Sequence, residues 1–152
     1  MADQKIVWAH SPAAEEIPED VIFVDRLRCT GCWTCSLACM TGNSLKDGQF
    51  FVSVRTLGSG EGIDRPAGVW PDLHMSWMPF YSNHCIKCKP RTEAGELPYC
   101  VAQCPNKALA YGADAVEKIA AARARGARIY QLPGWEHAKE GVIYASPDRK
   151  II

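Results

Sequence analysis

Eight of the 152 residues are cysteine, and they fall into two groups of four. The first reads Cys29-x2-Cys32-x2-Cys35-x3-Cys39 and the second Cys85-x2-Cys88-x11-Cys100-x3-Cys104. Both open C-x2-C and close with a third cysteine, three residues and a fourth, so the groups form an internal repeat. Such a repeat suggests two related halves facing each other. Thiols at this density can form disulfides, bind zinc or bind iron–sulfur clusters. Disulfides fit poorly, because Cys29, Cys32 and Cys35 are too close in sequence for a comfortable framework. Zinc is an open alternative: eight thiolates make two four-cysteine sites, and C-x2-C is the usual half-site. Zinc ligands, however, usually come as separated pairs, not four within eleven residues.

The third chemistry fits the spacing best. C-x2-C-x2-C-x3-C followed by proline is the bacterial ferredoxin run, in which the fourth cysteine reaches a second cluster. Cys104 is followed by Pro105, as that run expects, whereas Cys39 is followed by Met40. Proline fixes its own backbone and bars the preceding residue from helix, which helps aim Cys104 away from its local loop.

The residues around the cysteines carry a more specific resemblance. Val24-Asp25, a short gap and Cys29-Thr-Gly-Cys-Trp-Thr-Cys-Ser-Leu-Ala-Cys39 resembles the opening motif of the iron–sulfur electron-transfer subunits of the dimethyl sulfoxide reductase family of molybdenum and tungsten enzymes. Cys85-Ile-Lys-Cys-Lys-Pro-Arg91, Gly95-Glu-Leu-Pro98 and Cys100-Val-Ala-Gln-Cys104-Pro-Asn-Lys-Ala-Leu109 is similar to their last cysteine group. Arg128 to Leu132 and Gly141 to Ala145 resemble the strand pair that closes them. The resemblance runs over roughly residues 20–146. Two further cysteine groups, usual between these in the family, are lacking, so the chain looks like a shortened form keeping one pair of clusters. The resemblance implies two 4Fe–4S clusters with crossed ligation: Cys29, Cys32, Cys35 and Cys104 on the first, Cys39, Cys85, Cys88 and Cys100 on the second. It also implies a larger catalytic oxidoreductase subunit, carrying molybdopterin or tungstopterin, as partner. Lys87, Lys89 and Arg91, with loop N–H groups, are expected to stabilise the reduced, more negative cluster and raise its potential.

The elements that must position these residues can be read around them. Residues 1–20 are a polar arm with Pro12, Pro18, an apolar patch at Ile6-Val7-Trp8 and acids that either fray or fold onto a partner. Val21 to Val24 reads as a short buried strand ended by Asp25 and Arg26, and Phe50 to Val54 as a second. Gly58 to Gly68 should be a loop. Val69 to Tyr81 is aromatic but broken by Pro71 and Pro79; Trp70, Trp77, Phe80 and Tyr81 are either core or an apolar interface. A helix should begin at an Asp114 N-cap with Glu117, carry Val116, Ile119 and Ala120 on its apolar face, and stop at Gly126. Arg128 to Leu132, a Pro133-Gly134 turn and Val142 to Ala145 suggest two more strands. The expected fold is α+β: residues 21–112 a two-cluster ferredoxin-like centre, residues 113–152 a C-terminal helix and strand extension packing on it or on a partner.

Composition narrows the function. Lys plus Arg and Asp plus Glu are 17 each, giving a formal net charge of +0, which removes the electrostatic case for nucleic acid or an anionic membrane. The longest uncharged stretch, Cys29 to Leu45, is too polar to span a bilayer, so direct membrane insertion is not expected. The first twenty residues lack a basic, apolar or twin-arginine leader, which points to the cytoplasm, with export alongside a signal-bearing partner still open. His84 adjoins Cys85 but reads as packing, since eight cysteines complete two clusters. His10, His74 and His137 sit in no ligand pattern. Trp33 reads as shielding, and Arg123, Arg125 and Arg128 as a solvated face. No Gly-rich phosphate loop, Ser-His-Asp set or paired catalytic carboxylates occur, so no catalytic site is expected in this chain. Electron transfer as a subunit is the expected role; the alternatives are a free-standing dicluster ferredoxin and a zinc-stabilised interaction module.

Overall fold

In the computed structural model, residues 12–57, 66, 69–73, 75–132 and 137–147 are described. The fold is α+β. The strand read at Val21 to Val24 is β1 (Ile22–Asp25), and it lies in the middle of a four-stranded sheet. It pairs antiparallel with β4 (Leu109–Tyr111) and parallel with β6 (Val142–Ala145); β5 (Ile129–Tyr130) adds antiparallel to β6. A strand covered on both faces needs apolar side chains at every position, which explains an unbroken run instead of alternation.

The rows of the sheet sort its side chains into two layers. Ile22, Val24, Leu109, Val142 and Tyr144 face a core shared with Cys35, Cys39, Cys85, Cys100 and Cys104. Phe23, Ala110, Ile129, Ile143 and Ala145 face the opposite core, against α4 (Gly112–Ala124). The sheet therefore separates a cysteine layer from a helical layer.

Two expectations for α4 are corrected. Its N-cap is Tyr111 and no side chain caps it. Gly112, at φ +68°, turns β4 directly into the helix, and its N–H bonds to the Val21 carbonyl at 3.0 Å. Asp114 lies inside the first turn and pairs with Lys118 at 3.2 Å. The buried face is Ala115, Ile119 and Ala122, while Val116 and Ala120 are exposed. Small alanines let the helix lie close to the sheet, and hydrophobicity alone does not reveal that choice. Gly126, at φ +89°, does end the helix.

A second, two-stranded sheet covers the cysteine layer. It pairs β2 (Val52–Leu57) antiparallel with β3 (Ser76–Tyr81), Val52 opposite Tyr81 and Val54 opposite Pro79. Pro79 is tolerated because such a ribbon has unpaired edges. The expected strand at Phe50 to Val54 thus starts later: Phe50 is exposed and meets Trp33 edge-on at 6.1 Å between centroids. The Tyr144 hydroxyl donates to the Pro79 carbonyl at 2.7 Å and ties the two sheets together. The described part of the arm does not fray. It forms a 3-10 turn (Ala14–Glu16), packs Ile17 on the α4 core, and accepts a bond from Arg123 at the Pro12 carbonyl. The Ile6–Trp8 patch, His10, His74, the Pro133-Gly134 turn and all of the Gly58–Gly68 loop except Pro66 lie outside the described residues. Among the described residues no helix is long and apolar enough to cross a membrane.

The remaining helices carry cysteines or hold them: α1 (Thr34–Gly42), α2 (Lys89–Glu93) and α3 (Tyr99–Gln103). α1 and α3 approach so closely that a Cβ on Gly42 would stand 2.5 Å from the Tyr99 ring. We expect Gly42→Ala to cost about 1–3 kcal/mol by overpacking. In a Tyr99→Leu background the cost should fall, and thermal unfolding of the four variants measures the difference. Equal costs in both backgrounds would contradict this packing.

Candidate metal centre

The first cysteine loop turns tightly. Gly31 (φ +71°) and Trp33 (φ +63°) both adopt left-handed backbone between Cys29 and the start of α1. Gly31 is also needed for space, because a Cβ there would lie 2.5 Å from the Trp77 ring. Cys35 and Cys39 then fall on α1, four residues and so about 6 Å of rise apart. The second loop repeats the turn with Lys87 (φ +52°) and Cys88 (φ +49°) before α2. The long insertion is held by Arg91, which donates to the Leu97 carbonyl at 2.9 Å, pairs with Glu96 at 3.3 Å and lies 4.0 Å over the Tyr99 ring. Cys100 sits in α3, and Cys104 caps its end.

This backbone gathers the eight thiols around two cavities. Cys29, Cys32, Cys35 and Cys104 line one, of about 320 Å³ including its open mouth, together with Trp33, Val54 and Pro105. Cys39, Cys85, Cys88 and Cys100 line the other, of about 300 Å³, together with Val52, Tyr81 and Lys87. Each cavity takes three cysteines from one group and one from the other. All eight cysteines are free, and none but Cys29 and Cys32 escapes full burial. Among the described residues no three His, Cys, Asp or Glu side chains converge closely enough to hold a single metal ion. Four soft sulfur donors spread around a mostly apolar cavity suit a bulky thiolate-bound group better than one ion, and in this respect the residues fit iron–sulfur clusters.

Donors already point at several sulfurs. The Lys87 N–H reaches Cys85 Sγ at 3.3 Å, the Ala108 N–H reaches Cys104 Sγ at 3.4 Å, and the Tyr81 hydroxyl reaches Cys100 Sγ at 3.3 Å. Asn43 Nδ2 lies 3.5 Å from Cys39 Sγ and 3.8 Å from Cys88 Sγ. The Ser36 hydroxyl beside Cys35 is buried without a partner among the described residues. Hydrogen bonds to sulfur favour the more negative state of a bound cluster.

Burial dominates the thiol acidities. It pushes Cys35 up to about 12 and Cys39 up to about 11. It raises Cys100 strongly, with the Tyr81 hydroxyl opposing, and raises Cys29 and Cys85 against bonds from the Gly31 and Lys87 N–H groups. Cys32 is lowered instead, by the hydroxyl and N–H of Thr34. Metal binding at the raised thiols must therefore displace protons.

The basic residues expected near the second group divide. Lys87 is buried, lines the cavity and pairs with Asp20 at 3.3 Å. Lys89 is exposed, and Arg91 is committed to the insertion instead of a sulfur. His84 is exposed and lines neither cavity. Sequence reasoning missed Asn43 and the Tyr81 contact to Cys100. Asn43 had a signal, four residues after Cys39 at the cap that ends its helix; Tyr81 had none, because β3 brings it across the fold.

Comparison with known proteins places the chain among iron–sulfur proteins. It is 32% identical over 113 residues to a Halobacterium salinarum protein named as the iron–sulfur subunit of a dimethyl sulfoxide reductase, covering 70% of this chain and 39% of that protein. It is 31% identical over 86 residues to the arsenate respiratory reductase iron–sulfur subunit ArrB of a Shewanella strain, covering 57% and 29%. It is 26% identical over 98 residues to the ferredoxin-like protein YdhY of Escherichia coli, covering 62% and 41%. The chain thus spans about two-fifths or less of these homologues' lengths. No protein-family model matches it.

In metal-free chain, exposure and acidity together make Cys32 the first thiol to react with iodoacetamide near neutral pH, and Cys100 among the last. Timed alkylation with peptide mass spectrometry measures the order. Uniform labelling of all eight, or early labelling of Cys100, would contradict this arrangement of the cavities.

Proposed function

We propose that the chain transfers electrons through two 4Fe–4S clusters, held by Cys29, Cys32, Cys35 and Cys104 on one side and by Cys39, Cys85, Cys88 and Cys100 on the other. The observation that carries this reading is the division of two sequence-local cysteine groups into two mixed cavities. Homology to iron–sulfur subunits supports the cofactor type. Clusters of this kind supply one-electron transfer without proton movement.

The chain's own residues supply the environment. Cys35 and Cys39, one helical turn apart, place the two sites side by side. Val54, Pro79 and Leu109 on one cavity, and Ile22, Phe51 and Val52 on the other, keep water from the sulfurs. Tyr81, Asn43 and the loop N–H groups donate to them. Cys32 and Trp33 are exposed, so the first site reaches the surface there.

Within a larger assembly, we read the chain as the small iron–sulfur subunit of a molybdopterin- or tungstopterin-dependent oxidoreductase. The names of two homologues, subunits of dimethyl sulfoxide and arsenate reductases, support it. The chain's native mass separates this role from a free-standing shuttle: co-purification with a larger subunit fits the first, a stable monomer the second.

Anaerobically prepared protein should contain close to eight irons and eight acid-labile sulfides per chain. Two zincs without sulfide would overturn the reading in favour of an interaction module. Ligation is tested by paired lesions. Cys39→Ala with Cys85→Ala should damage one cluster and spare the other, whereas Cys39→Ala with Cys29→Ala should damage both. Iron counts and electron paramagnetic resonance of the reduced variants distinguish these outcomes. Loss of a single signal in the Cys39–Cys29 pair would show that the crossed assignment is wrong.

A further inference from the structure

Arg26 leaves β1 at its C-terminal end, and its N–H still bonds to the Ala145 carbonyl at 3.1 Å. Side chains alternate along a strand. Ile22 and Val24 face the cysteine layer and Phe23 faces α4. Asp25 takes the α4 side, where Arg125 meets it at 3.3 Å, and Arg26 returns to the cysteine side. There it is buried, with 7% of its surface exposed. One terminal nitrogen donates to the Tyr130 hydroxyl at 2.8 Å and the other to the Ser76 hydroxyl at 2.7 Å. Its Nε is buried and has no partner among the described residues.

Both acceptors are neutral. Asp25, the adjacent carboxylate, is occupied by Arg125, by Arg28 at 4.0 Å and by the Leu27 N–H at 3.1 Å. Among the described residues no carboxylate forms an ion pair with Arg26. A guanidinium keeps its proton in proteins, and a buried charge without an opposite charge is costly. Tyr130 packs on the apolar cluster that holds cysteines of both cavities, and Ser76 adjoins Trp77, whose ring lies against Gly31 in the first cysteine loop. The other cavity differs, because its buried cation, Lys87, already has Asp20.

We propose that Arg26 is the buried counter-cation of the Cys29, Cys32, Cys35 and Cys104 site, held in place by Tyr130 and Ser76 and selectively favouring that site's reduced state. The inference rests on the two-cluster reading above. Reduction adds one electron, and thus one negative charge, to the site; no bond forms or breaks. No proton moves, since Arg26 is charged before and after. Arg26 is a positioning residue acting through charge.

The test is an anaerobic potentiometric titration with dithionite as reductant, followed by electron paramagnetic resonance, on the iron-loaded protein in its native assembly. Wild type, Arg26→Gln, Arg26→Lys and Tyr130→Phe are compared, and Cys32→Ser marks which signal belongs to this site. Iron and sulfide counts on wild type test the cluster reading separately. With clusters present, Arg26→Gln should lower the reduced-to-oxidised ratio of the Cys32-marked signal about tenfold at fixed potential, equivalent to about 59 mV for one electron. The other signal should stay, Arg26→Lys should restore most of the shift, and Tyr130→Phe should shift neither signal by as much. Unchanged potentials in Arg26→Gln, or equal shifts of both signals, overturn the proposal. If Arg26→Gln loses its iron, Arg26→Lys decides: retention near wild-type potential supports the charge, and equal loss refutes it.

Discussion

Everything in the cysteine layer depends on one helical turn. Four residues of helix advance about 6 Å, and that step separates Cys35 from Cys39 and Cys100 from Cys104. Cysteines adjacent in each group are thereby delivered to different cavities, and neither cavity is complete without both halves of the chain. The close approach of Gly42 to Tyr99 and of Gly31 to Trp77 brings those halves near enough to share. The sheet behind them, with β1 paired to both β4 and β6, joins the N-terminal and C-terminal segments into one scaffold.

Burial and charge oppose each other in this layer. Apolar walls push most of the thiols toward their neutral form, yet a metal group needs thiolates. The fold supplies the compensation locally, through backbone N–H groups, the Tyr81 hydroxyl and buried cations. Those cations differ in kind: among the described residues Lys87 brings its own carboxylate, Asp20, and the Arg26 side chain brings hydroxyl partners. Two sites built from a repeated motif are therefore not electrostatically equivalent.

Much of the site was legible because spacing along a chain determines geometry when the segments are short. The two x3 gaps and the two C-x2-C loops carried the division of the thiols, and the apolar run at Val21 to Val24 carried the central strand. What was not legible depended on tertiary partners. The face of α4 was misread because Ala115 and Ala122 are buried for their small size, while the more hydrophobic Val116 is exposed. The helix start was misread because Gly112 supplies a turn that made the Asp114 cap unnecessary. Arg91 looked like a charge for a cluster and proved to be a brace for the insertion, through Glu96 and Tyr99. Arg26 looked like a strand terminator; only the alternation of the sheet reveals that its charge turns inward.

The crossed sharing of cysteines is the central claim, and iron positions test it most directly. An anaerobic crystal structure with anomalous scattering recorded at the iron edge would locate every iron against every sulfur. The account predicts two groups of four irons, with Cys39 bound to the group held by Cys85, Cys88 and Cys100, and Cys104 bound to the group held by Cys29, Cys32 and Cys35. A structure with Cys29, Cys32, Cys35 and Cys39 on one metal group would contradict it.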